Sequence, residues 1–171
     1  IVAGAAVGLR PRQQANKRLD KKKNVLIAAG LIQEGQVASQ QVIDEKFTEN
    51  IRPVLIDLKT GKRVDASIVN PDTYDQRVAA ADPKQSEPIA PAADLAGIKR
   101  REKYAFVYEV IDTGGTLEQL VLPINGKGLW STLYGFLALD SDGSTVRGIT
   151  FYEHGETAGL GAEVDNPKWK A

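Results

Sequence analysis

Cysteine and methionine are absent from these 171 residues, and histidine occurs once, as His154. An iron–sulfur cluster needs several thiolates, a c-type haem needs Cys-x-x-Cys-His, and a zinc site needs Cys or several His ligands. None can be assembled here, so any electron chemistry must rest on an organic cofactor. The lack of cysteine also suits an oxidising compartment. Net charge is missing too: 22 Lys+Arg against 22 Asp+Glu leave +0. A nucleic-acid partner normally goes with a basic domain, and that class is set aside. The length points to one domain, large enough to bury most of its unfolded surface.

The apolar run Ile1–Leu9 is followed at once by Arg10. It falls short of the roughly 20 apolar residues that a bilayer-crossing helix takes. Because it lacks an initiating methionine and ends in cations, residues 1–9 read as the end of a transmembrane helix; the alternative is a frayed apolar terminus. Residues 10–32 read as a basic stalk helix, closed by Leu26, Ile27, Ala28, Ala29, Gly30 and Leu31. Arg10, Arg12, Lys17, Arg18 and Lys21 to Lys23 crowd this flank, which the positive-inside rule would place in the cytoplasm. At the other end, Asp165-Asn166-Pro167 is a helix start, with a capping side chain and a first-turn proline. The sequence stops at Ala171, so the chain reads as cut at both ends.

Between these ends the pattern is α+β, helices first and then a mostly antiparallel sheet. Ser39 caps a second helix with Ile43, Phe47 and Ile51 on one face, and Pro53 follows its end. Val54 to Lys59 alternates as a strand that turns at Thr60-Gly61. Asn70-Pro71 predicts a short capped helix with Tyr74 and Val78 on one face, inside an irregular Ala/Pro/Asp-rich excursion that ends near Asp94. Strands follow over 103–111, 117–124, 131–140 and 144–153, the last two flanking the hairpin signal Asp142-Gly143.

Two glycine-interrupted stretches carry the functional signal: Gly126-Lys127-Gly128-Leu129-Trp130-Ser131 and Gly155-Glu156-Thr157-Ala158-Gly159-Leu160-Gly161. Gly155, Gly159 and Gly161 let the backbone approach a flat ligand closely, because no Cβ holds it off, and Gly126 and Gly128 lend flexibility to the residues between and after them. The first stretch has neither the Walker nor the Rossmann spacing. Asp140, Asp142 and Glu153 lack EF-hand spacing. His154 has no obvious partner or hydrolytic constellation around it, and reads as structural. Each residue has an ordinary alternative: Trp130 and Leu160 as core or interface, Glu156-Thr157 as a turn cap.

Taken together, in this order, the two stretches resemble the flavin-binding domain of the C subunit of the bacterial sodium-translocating NADH:quinone oxidoreductase. The family loop is Gly-Glu-Thr-Pro-Gly-Leu-Gly, so Ala158 stands where a proline is usual. The resemblance implies an extracytoplasmic FMN-binding domain over 33–171, on the periplasmic side of the bacterial inner membrane, among the other subunits of the complex. The implied role is electron carriage through FMN rather than hydride transfer or quinone reduction. FMN would be joined by a phosphoester to a threonine of a downstream Ser-Gly-Ala-Thr motif. No Ser-Gly pair occurs here, so that threonine would lie beyond residue 171.

Isoalloxazine needs apolar walls and polar partners along its pyrimidine edge, and the protein tunes it through those partners. Matched to the family motifs, Leu129 and Trp130 would form one wall and Leu160 the other. Ser131, Thr132, Thr157 and the backbone near Gly159 and Gly161 would meet the polar edge. Glu156 would accept from N3–H or fix the loop itself. Two other readings stay open. One is the flavin-bearing G subunit of the Rnf-type ferredoxin:NAD oxidoreductase, which shares the second loop. The other is a membrane-tethered binding module without enzymatic role.

Overall fold

The computed structural model describes residues 2–170, without the side chains of residues 2–11, Pro167 and Trp169. The expected transmembrane end and stalk form one continuous helix, α1 (Val2–Ala28). The reading of residues 1–9 as membrane-spanning rests on side chains outside the described residues. Among the described residues no helix is long and apolar enough to cross a membrane.

Helix α1 ends in a glycine cap. Gly30 takes φ +73°, its N–H donates to Ile27 O at 2.9 Å, and the Leu31 N–H reaches back to Leu26 O at 2.9 Å. That pair of bonds is the Schellman arrangement, which satisfies carbonyls the helix leaves open. Side-chain donors complete the capping, with Lys46 Nζ reaching Leu31 O at 3.3 Å and Gln119 Nε2 reaching Ala29 O at 3.3 Å. The helix end is thereby tied to both the next helix and the sheet.

Helix α2 (Gln40–Asn50) starts where the sequence places it: Ser39 Oγ accepts from the Val42 N–H, and Ile43 and Phe47 are buried. Ile51 is buried too, but it opens strand β1 (Ile51–Asp57) instead of ending the helix. Pro53 lies inside β1, a position it tolerates because β1 is an edge strand and one missing N–H breaks no inner ladder. Helix α3 (Gln76–Ala81) begins later than the Asn70-Pro71 signal predicts. Asn70 Oδ1 instead closes a turn on the Asp72 N–H at 2.9 Å, and Asp75 is the cap, accepting from the Arg77 and Val78 N–H groups. Tyr74 sets this offset, because its hydroxyl donates to Tyr104 O at 2.6 Å and so pulls that residue onto the sheet. Val78 is left exposed while Ala79 is buried.

Strands β2 (Ser86–Pro88) and β3 (Arg100–Glu102) make a short separate ribbon. Strands β4 (Tyr104–Ile111), β5 (Leu117–Lys127), β6 (Thr132–Asp140) and β7 (Val146–Glu153) form an antiparallel meander. With β1 they complete one sheet in the order β1-β4-β5-β6-β7. The β6–β7 turn follows the Asp142-Gly143 signal: Gly143 takes φ +69° and Asp142 Oδ1 accepts from the Ser144 and Thr145 N–H groups. The outcome is the α+β class, helices against one face of a mostly antiparallel sheet.

That face holds the core. Val25, Leu26, Ala28, Ala29 and Ile32 meet Phe106, Tyr108, Val110, Val121, Phe136 and Ala138. Each large apolar side chain among them contributes about 1.5–3 kcal/mol by leaving water. Tyr108 stacks on Phe106 and meets Phe47 and Phe136 edge-on, with centroids 5.8–6.3 Å apart. The stalk's cations are partly drawn into this packing. Lys21 Nζ sits 4.6 Å above the Phe106 ring, and burial pulls its pKa down despite the nearby Asp75. Lys22 Nζ pairs with Asp44 at 2.5 Å. The opposite face of the sheet presents Val107, Leu120, Leu122, Ile124, Leu137 and Ile149, all half-buried and outside the core cluster.

Two strand glycines bring backbones together. A Cβ on Gly135 would collide with the carbonyl of Thr150, and one on Gly148 would stand 2.6 Å from Ala28 O at the end of α1. Neither neighbour can turn aside as a side chain would. Gly148→Ala is therefore expected to cost about 1–3 kcal/mol, the range for overpacking a fitted interior. Urea unfolding monitored by circular dichroism measures it, and an unchanged midpoint would show that α1 does not rest on β7.

Candidate functional site

The two glycine-rich stretches fall at the same end of the sheet. The first is the turn between β5 and β6, closed by the Gly128 N–H donating to Ser131 O at 2.7 Å. The second leaves β7 after Glu153, runs through 154–160 and enters a 3-10 helix, Gly161–Asp165. The short helix α4 (Pro167–Lys170) follows, and Asn166 Oδ1 accepts from the Lys168 N–H at 3.0 Å, the cap the sequence predicts.

Glu156 joins the two stretches. Its Oε1 accepts from the N–H groups of Trp130 at 3.2 Å and Ser131 at 3.0 Å, and from the Ser131 hydroxyl at 3.1 Å. Its Oε2 accepts from the Leu129 N–H at 3.2 Å. A bond also runs the other way: the Gly155 N–H donates to Ser131 Oγ at 2.7 Å. Three successive backbone donors around one carboxylate form an anion-binding concavity filled from within the chain. Burial alone would raise the pKa of this carboxyl; the N–H groups of Ser131 and Trp130, the Ser131 hydroxyl and the Leu129 N–H outweigh it and hold the group below its ordinary value.

This geometry explains two of the glycines. A Cβ on Gly128 would come within 2.5 Å of Glu156 Oε1, and one on Gly161 would collide with Glu156 Oε2. They make room for the carboxylate and, at Gly128, for Leu133 Cδ1 as well, where the sequence reading gave Gly161 a close approach to a flat ligand and Gly128 flexibility. Gly159 serves the chain direction, with φ +75°. Of the two roles weighed for Glu156, the structure shows the loop-fixing one.

The remaining predicted residues divide. Leu129, Trp130 and Leu160 are 68%, 69% and 65% exposed, unusual for large apolar side chains gathered at one end of a sheet. Ser131 is committed to Glu156 and Gly155. Thr132 opens β6 opposite Lys127. Thr157 accepts through its carbonyl from the Leu160 and Ala162 N–H groups. Among the described residues, the Thr132 and Thr157 hydroxyls have no hydrogen-bond partner. These hydroxyls and exposed walls suit a ligand with an apolar face and a polar edge.

The sequence reading missed several neighbours. His154 does have partners: its Nδ1 accepts from the Glu156 N–H at 3.3 Å, so Nε2 carries the proton and donates to Asp165 Oδ2 at 2.8 Å. No local periodicity links these positions. A shallow groove of about 260 Å³ runs beside the first turn, lined by Ile124, Asn125, Gly126, Lys127, Leu133 and Phe151. The strand alternation shared by Ile124, Leu133 and Phe151 was its only trace in the sequence. The Lys127 N–H donates to Ala96 O at 2.7 Å, so the excursion that carries exposed Leu95 leans on the root of the turn.

A depressed folded pKa gives stabilisation that is complete above the unfolded value and lost as pH falls through the folded one. The amide resonances of Leu129, Trp130 and Ser131 are accordingly expected to titrate together, with a midpoint below the ordinary glutamate value. Glu156→Gln should abolish that step and speed exchange of the same amides. Amide spectra recorded across acidic pH test this, and a midpoint at or above the ordinary glutamate value would contradict the assigned contacts.

Several known proteins share this sequence and this fold. Residues 128–171 match the FMN-binding domain family, a span that contains every residue named in the two motif loops from Gly128 on. The C subunit of the Na(+)-translocating NADH-quinone reductase of Pseudomonas aeruginosa is 51% identical over 171 residues, 100% of this chain and 64% of that protein. Its counterpart in Yersinia pestis is 45% identical over 170 residues, 99% of this chain and 62% of that protein. The chain thus spans less than two thirds of the length of these relatives. The C subunit of the Parabacteroides distasonis enzyme has a crystal structure that matches at 24% identity and TM-score 0.67, over 95% of this chain and 66% of that one, and supports the fold alone. The crystal structure of Shewanella oneidensis NqrC matches with TM-score 0.76 at 40% identity, over 91% of this chain and 68% of that one. On sequence identity and on fold, the chain belongs to the NqrC family, the C subunits of the Na+-translocating NADH-quinone reductases.

Proposed function

We propose that this chain forms the flavin-bearing part of an electron-carrying subunit in a Na+-translocating NADH:ubiquinone reductase. The observation that carries the reading is the joining of both motif loops by Glu156 inside the segment matched to the FMN-binding domain family. FMN, when bound, supplies the one-electron chemistry. The chain's own residues would do the rest. Trp130 and Leu129 would cover one face of the ring and Leu160 the other, with the groove beside Leu133 as an apolar floor. The Thr157 and Thr132 hydroxyls and the backbone near Gly159 would meet its polar edge. Glu156 would keep the two loops at fixed spacing and carry a constant negative charge near the site.

The finer parts of the proposal rest on the family resemblance. FMN would be attached through a phosphoester to a threonine downstream of residue 171. A protein whose partners translocate Na+ belongs at a membrane, and the anchor would be the helix whose end is residues 1–9. The domain would then sit on the periplasmic side of the inner membrane beside the other subunits. The relatives described above are all C subunits of the quinone reductase, which favours this reading over the Rnf-type flavin protein and over a binding module.

The full-length, membrane-expressed protein should give a band fluorescent under ultraviolet light on a denaturing gel, with an intact mass increased by FMN minus water. A dark band at the bare polypeptide mass, from cells able to attach flavin, would sink the proposal. The 171-residue chain itself should bind free FMN no tighter than about 1 μM, because the covalent link and any cover from further chain are missing. A tryptophan-fluorescence titration checks this, and tighter binding would show that these loops suffice.

A further inference from the structure

We infer that Arg77 is a positioning residue of the flavin site, a clamp that sets the spacing of the two strands whose ends carry the motif loops. Its functional consequence rests on the flavin reading above; its geometry stands independently of it. Arg77 lies in the first turn of α3, far in sequence from both loops. Its Nη1 donates to Glu153 Oε2 at 2.8 Å and its Nη2 to Glu153 Oε1 at 2.9 Å. The same guanidinium lies 3.3 Å from the centroid of the Tyr134 ring.

Tyr134 and Glu153 are cross-strand partners in the β6–β7 ladder, and the register shifts directly after them, since Gly135 pairs with Phe151. Tyr152 is thus an extra residue, and the ladder is interrupted at this rung. Where a bulge removes regular bonding, side chains decide how far apart the strands stand and how they twist. Arg77 supplies that control by holding one strand through a stacked ring and the other through a fork. Tyr134 lies shortly after Ser131, and Glu153 shortly before Glu156. The clamp therefore stands at the base of the pair of loops that Glu156 joins at the top.

Arginine is specifically suited to this. A planar guanidinium can lie flat on an aromatic ring while its edge meets a carboxylate bidentately, and an ammonium can do only one of these. The side chains of Arg77 and Glu153 are 43% and 57% exposed, so the pair adds little to global stability. What it can fix is local geometry, and misplacement of a binding group by an ångström is enough to weaken function. Lys17 lies close enough to help hold Glu153 ionised, after Arg77 itself, and Asp75 and Arg77 both act on Lys21.

Arg77→Ala, Arg77→Lys and Glu153→Gln test it in two measurements on the 171-residue chain. In ligand-free protein, the Ser131 and Gly155 amides should exchange roughly tenfold faster in all three variants, with the core amides of Val110 and Val121 unchanged. In a free-FMN titration, affinity should fall by roughly three- to tenfold in all three. Loop amides that exchange as in wild type would overturn the inference. So would uniform acceleration that includes Val110 and Val121, a full rescue by Arg77→Lys, or faster loop exchange with unchanged FMN affinity. If the 171-residue wild type binds no free FMN, the fluorescent-band and mass test on the full-length protein decides the flavin reading, and the exchange pattern alone decides whether Arg77 spaces the loops.

Discussion

A single carboxylate organises the functional end of this molecule. Glu156 accepts four hydrogen bonds from Leu129, Trp130 and Ser131, and so fixes a turn twenty-odd positions earlier in the chain. A glutamate in water would lose little by releasing any one of those donors. Here Gly128 and Gly161 stand close to it, where a Cβ on either would crowd its oxygens. Hydrogen bonds to an ionised acceptor are about twice as strong as neutral ones. The exposure of Trp130, Leu129 and Leu160 follows from this arrangement. The turn and the loop that carry them are held by this carboxylate, so their side chains project without needing a core to hold them.

The remainder of the chain gives that carboxylate a firm base. Five strands in simple antiparallel order bring the β5–β6 turn and the exit of β7 to one end. The core beneath is aromatic, with Phe47, Phe106 and Phe136 gathered around Tyr108. Charges that sum to +0 are not evenly spread. Lysines of α1 turn inward over rings or pair with α2, so the stalk's basic character is partly spent on packing rather than on any outside partner. His154 and Asp165 add a second tie, linking the loop to the 3-10 helix that follows it.

Much of this was legible in the sequence, and the exceptions share a cause. Ser39, Gly30 and Asp142-Gly143 act within a few residues of themselves, so their roles could be read locally. The alternation from Tyr104 to Val110 identified a strand because one face of it is buried. The two motifs, 24 or more residues apart in sequence, lie at one end of the sheet, where Glu156 bonds one to the other. What was hidden depends on distant backbone. Gly135 and Gly148 looked like ordinary strand residues, because the carbonyls they accommodate belong to Thr150 and Ala28. Asp75 displaced Asn70 as a cap because Tyr74 has a partner on β4. Asp165 lies 11 residues from His154 and Glu153 lies 76 from Arg77, and no periodic signal spans such gaps.

The contact between Gly148 and Ala28 has a mechanical meaning. Most helices rest on sheets through side chains, which yield by changing rotamer and so cushion small displacements. At this point main chain meets main chain, and there is nothing to compress. The C-terminal end of α1 thus bears directly on the β7 backbone, and β7 ends at Glu153, where the loop carrying Glu156 begins. The end of the helix and the strand that feeds the loop therefore share a contact that no rotamer change can relax.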